Sequence, residues 1–182
     1  KTKNLLEKYF HTDVLPLLSP QIIGRKQPFP FLRNKAIYAV AILRTKSGGE
    51  RMGIVPCGEG TLRRLVPLPG DGQRFVLVEE LIAGFLSKIF AHYKVEGAVL
   101  IRLVRSADIH MDETSDQMSD LLAEEYRKSM EKLIRRRKRL QPVKLEYQGK
   151  LSDTVRDALC ACLGLSKKHL FSSDVPLDLS FL

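Results

Sequence analysis

The residues from Ala36 to Leu43 form the longest uninterrupted apolar run in the chain, eight residues closed by Arg44. A membrane-spanning helix needs about 20 apolar residues, so this run does not cross a bilayer. Its Ile, Val and Tyr content favours extended backbone. The Ser47-Gly48-Gly49 turn then leads back into Arg51-Met52-Gly53-Ile54-Val55, which makes the pair a β-hairpin. A sheet is therefore the element around which the rest must be arranged.

Before the hairpin, Leu5, Leu6, Tyr9 and Phe10 share one stripe of a short helix, and prolines then interrupt the chain repeatedly. Pro28-Phe29-Pro30-Phe31 is a stiff apolar connector, because proline lacks an amide donor and pushes its predecessor toward extended geometry. Short strands are expected at Leu65 to Leu68 and Arg74 to Leu77, around Pro69-Gly70-Asp71-Gly72. From Val78 the period becomes helical, with Leu81, Ile82, Phe85, Leu86, Ile89 and Phe90 on one face, Glu79 and Glu80 near the positive end of the dipole, and an end near His92. Ala98 to Val104 reads as a strand whose apolar character only Arg102 breaks. A long helix is expected from about Asp116 to Leu140, stopped by Pro142. Val143, Leu145 and Tyr147 then alternate with Lys144, Glu146 and Gln148 as a half-buried strand. Ser152 caps a last helix with Val155, Ala158, Leu159, Cys162 and Leu163 on its stripe, and Gly164 stands at its stop.

Strands early, then helices alternating with strands and no strict β-α-β rhythm, predict an α+β fold: a largely antiparallel sheet packed with two or three main helices. The 182 residues fit a single domain spanning 1–182, with 1–20 a leading helical segment and 167–182 a trailing connector. An apolar fraction of 44% is enough to fill its core, which excludes disorder for most of the chain. The 30 Lys and Arg against 21 Asp and Glu leave a net charge of +9, suited to an anionic partner without naming it. The odd cysteine set Cys57, Cys160 and Cys162 makes no disulfide scaffold and fits a reducing cytoplasm, with membrane association left open. The chain starts at Lys1 with no signal layout and reads as a fragment.

Few residues here point to chemistry. Gly58-Glu59-Gly60 is followed by Arg63 where a third phosphate-loop glycine belongs, so it reads as a turn. Cys160 and Cys162 diverge on a helix, with only His169 near in sequence, and no metal site is expected. His11, His92, His110 and His169 are scattered. Asp112, Glu113 and Asp116 precede a helix, where acids complement the dipole more readily than they gather magnesium. Arg135-Arg136-Arg137-Lys138-Arg139 is either a polyanion contact or a solvated helix end. Arg102 and Arg105 are the more specific candidates for polyanion binding, since arginine offers a planar donor fork to phosphate oxygens. Their parity differs along the strand. Asp108 is the expected structural partner of Arg105, through a salt bridge that competes with ligand binding.

Pro16-Leu17-Leu18-Ser19-Pro20, Pro28-Phe29-Pro30-Phe31-Leu32 with Asn34, Arg102-Leu103-Val104-Arg105-Ser106-Ala107-Asp108, Val143-Lys144-Leu145-Glu146 and Leu177-Asp178-Leu179 occur in this order. Together, over about Tyr9 to Leu182, they resemble the middle, or head, domain of bacterial polyphosphate kinase of the phosphohistidine type. Gly24 and Ser173-Asp174-Val175 depart from the family pattern. The resemblance implies a full-length transferase that passes the terminal phosphate of ATP through a histidine to inorganic polyphosphate, reversibly and with magnesium. It places that chemistry on two phospholipase-D-like domains downstream of this one. No catalytic residue and no metal ligand carries over to this chain, which the resemblance makes an inactive piece serving subunit assembly in a homo-oligomer and shaping of the active-site region. ATP and magnesium belong to the full-length enzyme.

The alternative is a stand-alone basic α+β nucleic-acid-binding module, motivated by the charge and the Arg135 to Arg139 cluster. RNA-reading sheets gather aromatics on one face, whereas Tyr38, Phe75 and Tyr147 sit on separate strands. Binding to nucleic acid is therefore not expected.

Overall fold

The structure, a computed structural model, describes residues 2–24, 28–58, 62–68, 74–106 and 140–180. Among them runs a six-stranded sheet in the order β1-β3-β2-β6-β7-β8, with a separate two-stranded ribbon of β4 and β5. The strands are β1 (Gln21–Ile23), β2 (Ile37–Arg44), β3 (Glu50–Pro56), β4 (Leu65–Pro67), β5 (Phe75–Leu77), β6 (Lys94–Arg105), β7 (Pro142–Gly149) and β8 (Leu170–Ser172). All pairings in the large sheet are antiparallel except the last, β7 with β8. The fold is α+β on a mostly antiparallel sheet.

The central place of β2 explains its sequence. Ile37, Ala39, Ala41 and Leu43 enter the core on one face, while Tyr38 and Val40 enter a second core on the other. A strand covered on both sides has no wet face to alternate with. The first core is closed by α1 (Thr2–Tyr9), a π-helical turn at Phe10–Val14, α2 (Val78–Gly84) and α3 (Leu86–Ile89). The second is closed by Leu32 of the proline connector and by α4 (Asp153–Leu163).

Local signals set α4. The Ser152 hydroxyl accepts the Val155 amide at 3.4 Å, and Gly164 takes a left-handed φ of 67°, which stops the helix. Val155, Leu159 and Leu163 are buried against the sheet. Cys162 is exposed and lines an open apolar groove of about 370 Å³ with Ile42, Met52 and Ala158, so the expected stripe is covered only in part.

Three other expectations are revised. The helix expected from Val78 to His92 is two short helices, because Gly84 weakens the turn and Phe85 leaves helical geometry at φ −110°, ψ 15°. The Phe85 ring stacks on Phe10, with centroids 4.6 Å apart. Strand β6 begins at Lys94 and not Ala98, since Val95 and Lys94 pair with Leu43 and Arg44 across a bulge. Within the 167–182 segment, Leu170–Ser172 adds β8 to the sheet in parallel register with Leu145 to Tyr147. The expected helix from Asp116 to Leu140 lies outside the described residues in all but Leu140, which is not helical, and so do its Arg135 to Arg139 run, the acids Asp112, Glu113 and Asp116, His110 and Asp108.

Candidate functional site

Strands β6 and β7 pair so that Arg102 stands opposite Glu146. A cation on a strand bordered by apolar neighbours requires a partner, and Arg102 Nη1 donates to Glu146 Oε2 at 3.0 Å. Its Nε donates to the Lys35 carbonyl at 3.3 Å. Glu146 also accepts Lys144 Nζ at 2.7 Å, and that ammonium lies 4.8 Å from the centre of the Phe171 ring. Partial burial raises the Glu146 carboxyl, but the hydrogen bonds from Lys144 and Arg102 outweigh it and hold the group below the usual carboxylate range. These side chains line a cleft of about 490 Å³ together with Ser173 and Asp178.

Asp178 continues the alternation of charge. Its Oδ2 lies 3.5 Å from Arg64 Nη1, and its Oδ1 accepts the Ser180 amide at 3.1 Å. The Ser180 backbone bond leads the effects that lower its carboxyl, with Arg102 and Arg64 adding attraction against partial burial. Arg64 in turn donates from Nε and Nη2 to Glu79 Oε1 at 2.9 and 2.7 Å. Glu79 is 3% exposed, so it does more than complement a helix dipole: it is a buried carboxylate held by a guanidinium fork. Lys144, Glu146, Arg64, Glu79 and Asp178 were not singled out by sequence reasoning as site residues. Asp178 lies in the Leu177-Asp178-Leu179 motif, which is the signal that pointed nearest to it.

Arg105 stands apart from this cleft. Its guanidinium donates from Nε and Nη2 to the Leu32 carbonyl and from Nη1 to the Leu140 carbonyl, with Phe31 stacked 4.4 Å from it. Burial pushes its pKa down, against weak attraction from Tyr38. Strand β6 runs through Arg105 with a bulge after Val104, so the two arginines serve different places. Both nonetheless grip one turn. Arg105 N donates to Asn34 Oδ1 at 2.9 Å, Lys35 N donates to the Leu103 carbonyl at 2.7 Å, and Lys35 itself adopts a left-handed φ of 62°.

His11 lies edge-on to Phe10, and His169 closes a capping box with Ser166. Cys57 is buried, which pushes its thiol well up, with the Glu79 charge adding to the effect. Cys57, Cys160 and Cys162 are all free. Among the described residues no three His, Cys, Asp or Glu side chains gather as a metal set. No described helix is long and apolar enough to cross a membrane.

The family model described as polyphosphate kinase middle domain matches residues 1–182. A polyphosphate kinase of Halalkalibacterium halodurans is 34% identical over the whole chain, which spans 25% of that protein. One of Bacillus anthracis is 32% identical over 99% of the chain and 26% of the relative. The crystal structure of polyphosphate kinase from Porphyromonas gingivalis matches in fold with a TM-score of 0.69 at 19% identity, covering all of this chain and 25% of that one. The chain thus spans about a quarter of the length of the relatives it matches. With its sequence matched from end to end, the chain belongs to the polyphosphate kinase middle-domain family.

Proposed function

We propose that this chain is the middle domain of an enzyme that transfers the terminal phosphate of ATP reversibly to inorganic polyphosphate through a phosphohistidine carried elsewhere in the polypeptide. The end-to-end family match, with relatives named polyphosphate kinase, is the observation that carries this reading. ATP and magnesium act at the domains that hold them. Here the domain assembles subunits, shapes the region beside the active site, and resides in the cytoplasm as part of the full-length enzyme.

The bonding of the charged groups supports a scaffold role. Arg102 and Lys144 share the Glu146 carboxylate, and Arg105 is turned onto main-chain oxygens. In this reading Arg102, at the cleft, is the contact for a phosphate chain, whose oxygens exchange with the Glu146 carboxylate. Arg105 acts through the turn that it holds.

The test compares ATP-dependent polyphosphate synthesis by the full-length protein and by residues 1–182 alone. Synthesis by the long form only is expected; robust synthesis by the short form would overturn the division of labour. The nucleic-acid reading is not carried forward, since Tyr38 is buried in the core with its hydroxyl on the Arg33 amide while Phe75 lies on the separate ribbon.

A further inference from the structure

Among the described residues Lys35 is the one residue other than glycine whose backbone takes a positive φ, 62°. An L side chain in that region crowds the following carbonyl, so the turn must be held there by its surroundings. The bonds that hold it come from both faces of β6. Arg105 Nε and Nη2 donate to the carbonyl of Leu32, a second-core residue just before the turn. Main-chain bonds fix the middle: Arg105 N donates to Asn34 Oδ1 at 2.9 Å, and Lys35 N to the Leu103 carbonyl at 2.7 Å. Arg102, on the same strand face as Leu100 of the first core, donates from Nε to the Lys35 carbonyl at 3.3 Å. The two arginines thus clasp one short turn from opposite sides of the sheet.

We infer that Asn34 and Lys35 are positioning residues, whose turn aims the Arg102 guanidinium at the phosphate chain. The inference rests on the proposed reading of Arg102 as the phosphate contact. The Arg102 and Glu146 side chains are 18% and 19% exposed, so phosphate oxygens reach the pair from the cleft that both line. Two acceptors orient the guanidinium: Glu146 Oε2 through Nη1, and the Lys35 carbonyl through Nε. When phosphate oxygens take the place of the Glu146 carboxylate, the first restraint is lost and the Lys35 carbonyl keeps the plane of the fork. That oxygen is neutral and carried by the main chain, so it holds the donor without competing for it as a second carboxylate would. A guanidinium ordered before the phosphate arrives also spares the entropy of ordering it on binding. The left-handed backbone at Lys35 is what presents the carbonyl to Nε, and the Asn34 side chain fixes that backbone to β6.

The test is the KM for polyphosphate in the full-length enzyme, read as ATP formed when the terminal phosphate of the chain passes to ADP. Lys35→Val sets a β-branched side chain where φ is positive, and is expected to raise that KM about 3- to 10-fold with kcat and the KM for ADP unchanged. Lys35→Gly keeps the left-handed turn without the ammonium and is expected to stay within about twofold of the unsubstituted enzyme. Equal rises in the two variants would make the ammonium the contact, and no rise in Lys35→Val would leave the turn without a positioning role; either result overturns the inference. Where Lys35→Val does not fold, Asn34→Ala and Asn34→Asp decide, since aspartate keeps the acceptor for Arg105 N. A KM for polyphosphate raised by alanine and restored by aspartate is expected, and equal values in the two overturn the inference. Arg102→Gln separates the two failures: a KM that it leaves unmoved sinks the phosphate-contact reading, whereas a KM that rises with Arg102→Gln alone sinks the turn.

Discussion

Arg105 donates from Nε and Nη2 to a single oxygen, the carbonyl of Leu32, at 3.1 and 2.9 Å. A third donor, Nη1, reaches the Leu140 carbonyl at 2.7 Å, so one side chain joins the proline connector, β6 and the approach to β7. Truncation leaves the Leu32 oxygen buried without its donors. Arg105→Ala is expected to cost about 3 kcal/mol, the loss of charged hydrogen bonds plus an unsatisfied acceptor. Arg105→Lys recovers only part, because an ammonium cannot present a planar fork. Urea unfolding midpoints measure both. A variant with reduced polyphosphate synthesis and an unmoved midpoint would instead place Arg105 on the ligand.

Glu79 and Glu80 separate two roles that adjacent acids in a helix's first turn can have. Glu79 is buried against Arg64, whereas Glu80 is exposed. Removing one partner of a buried pair costs about 3–5 kcal/mol, discounted here because Arg64 is partly solvated. Glu79→Ala is expected to lose about 2–3 kcal/mol and Glu80→Ala less than about 0.5 kcal/mol. Equal losses in thermal or urea unfolding would reduce both to dipole partners.

The carboxyls of Glu146 and Asp178 are both held below their ordinary values in the folded chain. A group depressed by folding contributes stability above its unfolded value, about 4.3 for Glu and 3.9 for Asp, and loses it as pH falls through the lower folded value. Stability is therefore expected to decline below about pH 4, and the double variant Glu146→Gln, Asp178→Asn should show a shallower acid limb. Unfolding midpoints between pH 7 and pH 3 provide the check. Superimposable profiles would remove these two groups from the acid response.

Elements set by local chemistry were legible in the sequence. Ser152 and Gly164 bracket α4, and the glycines after Arg44 close the hairpin. What escaped depends on distant partners. Phe85 fits the helical stripe, but it stacks on Phe10, far away in sequence, and the helix divides there. Lys94 to Gly97 is too polar to read as strand, yet it pairs with the end of β2, with Arg44 bonded to Glu96 at 2.7 Å. The site was legible as far as Arg102. That Glu146 would face it is a matter of register between strands separated by a long excursion, which residue spacing does not encode.

Gly53 lies in β3 opposite Ala41, and the Phe90 ring rests directly on its backbone. A Cβ at this position would stand 2.6 and 2.7 Å from Cζ and Cε2 of Phe90 and 3.0 Å from Leu43 Cδ1. Phe90 and Leu43 are both buried in the first core, so neither can swing into solvent. The glycine is required by this close approach and not by backbone angle. Gly53→Ala is expected to cost about 1–3 kcal/mol through overpacking. If the ring is the obstacle, shortening it must relieve the strain: Gly53→Ala with Phe90→Leu should lose at least about 0.5 kcal/mol less than the sum of the single variants. Additive losses in urea unfolding would place the strain elsewhere, on Leu43 or the strand itself.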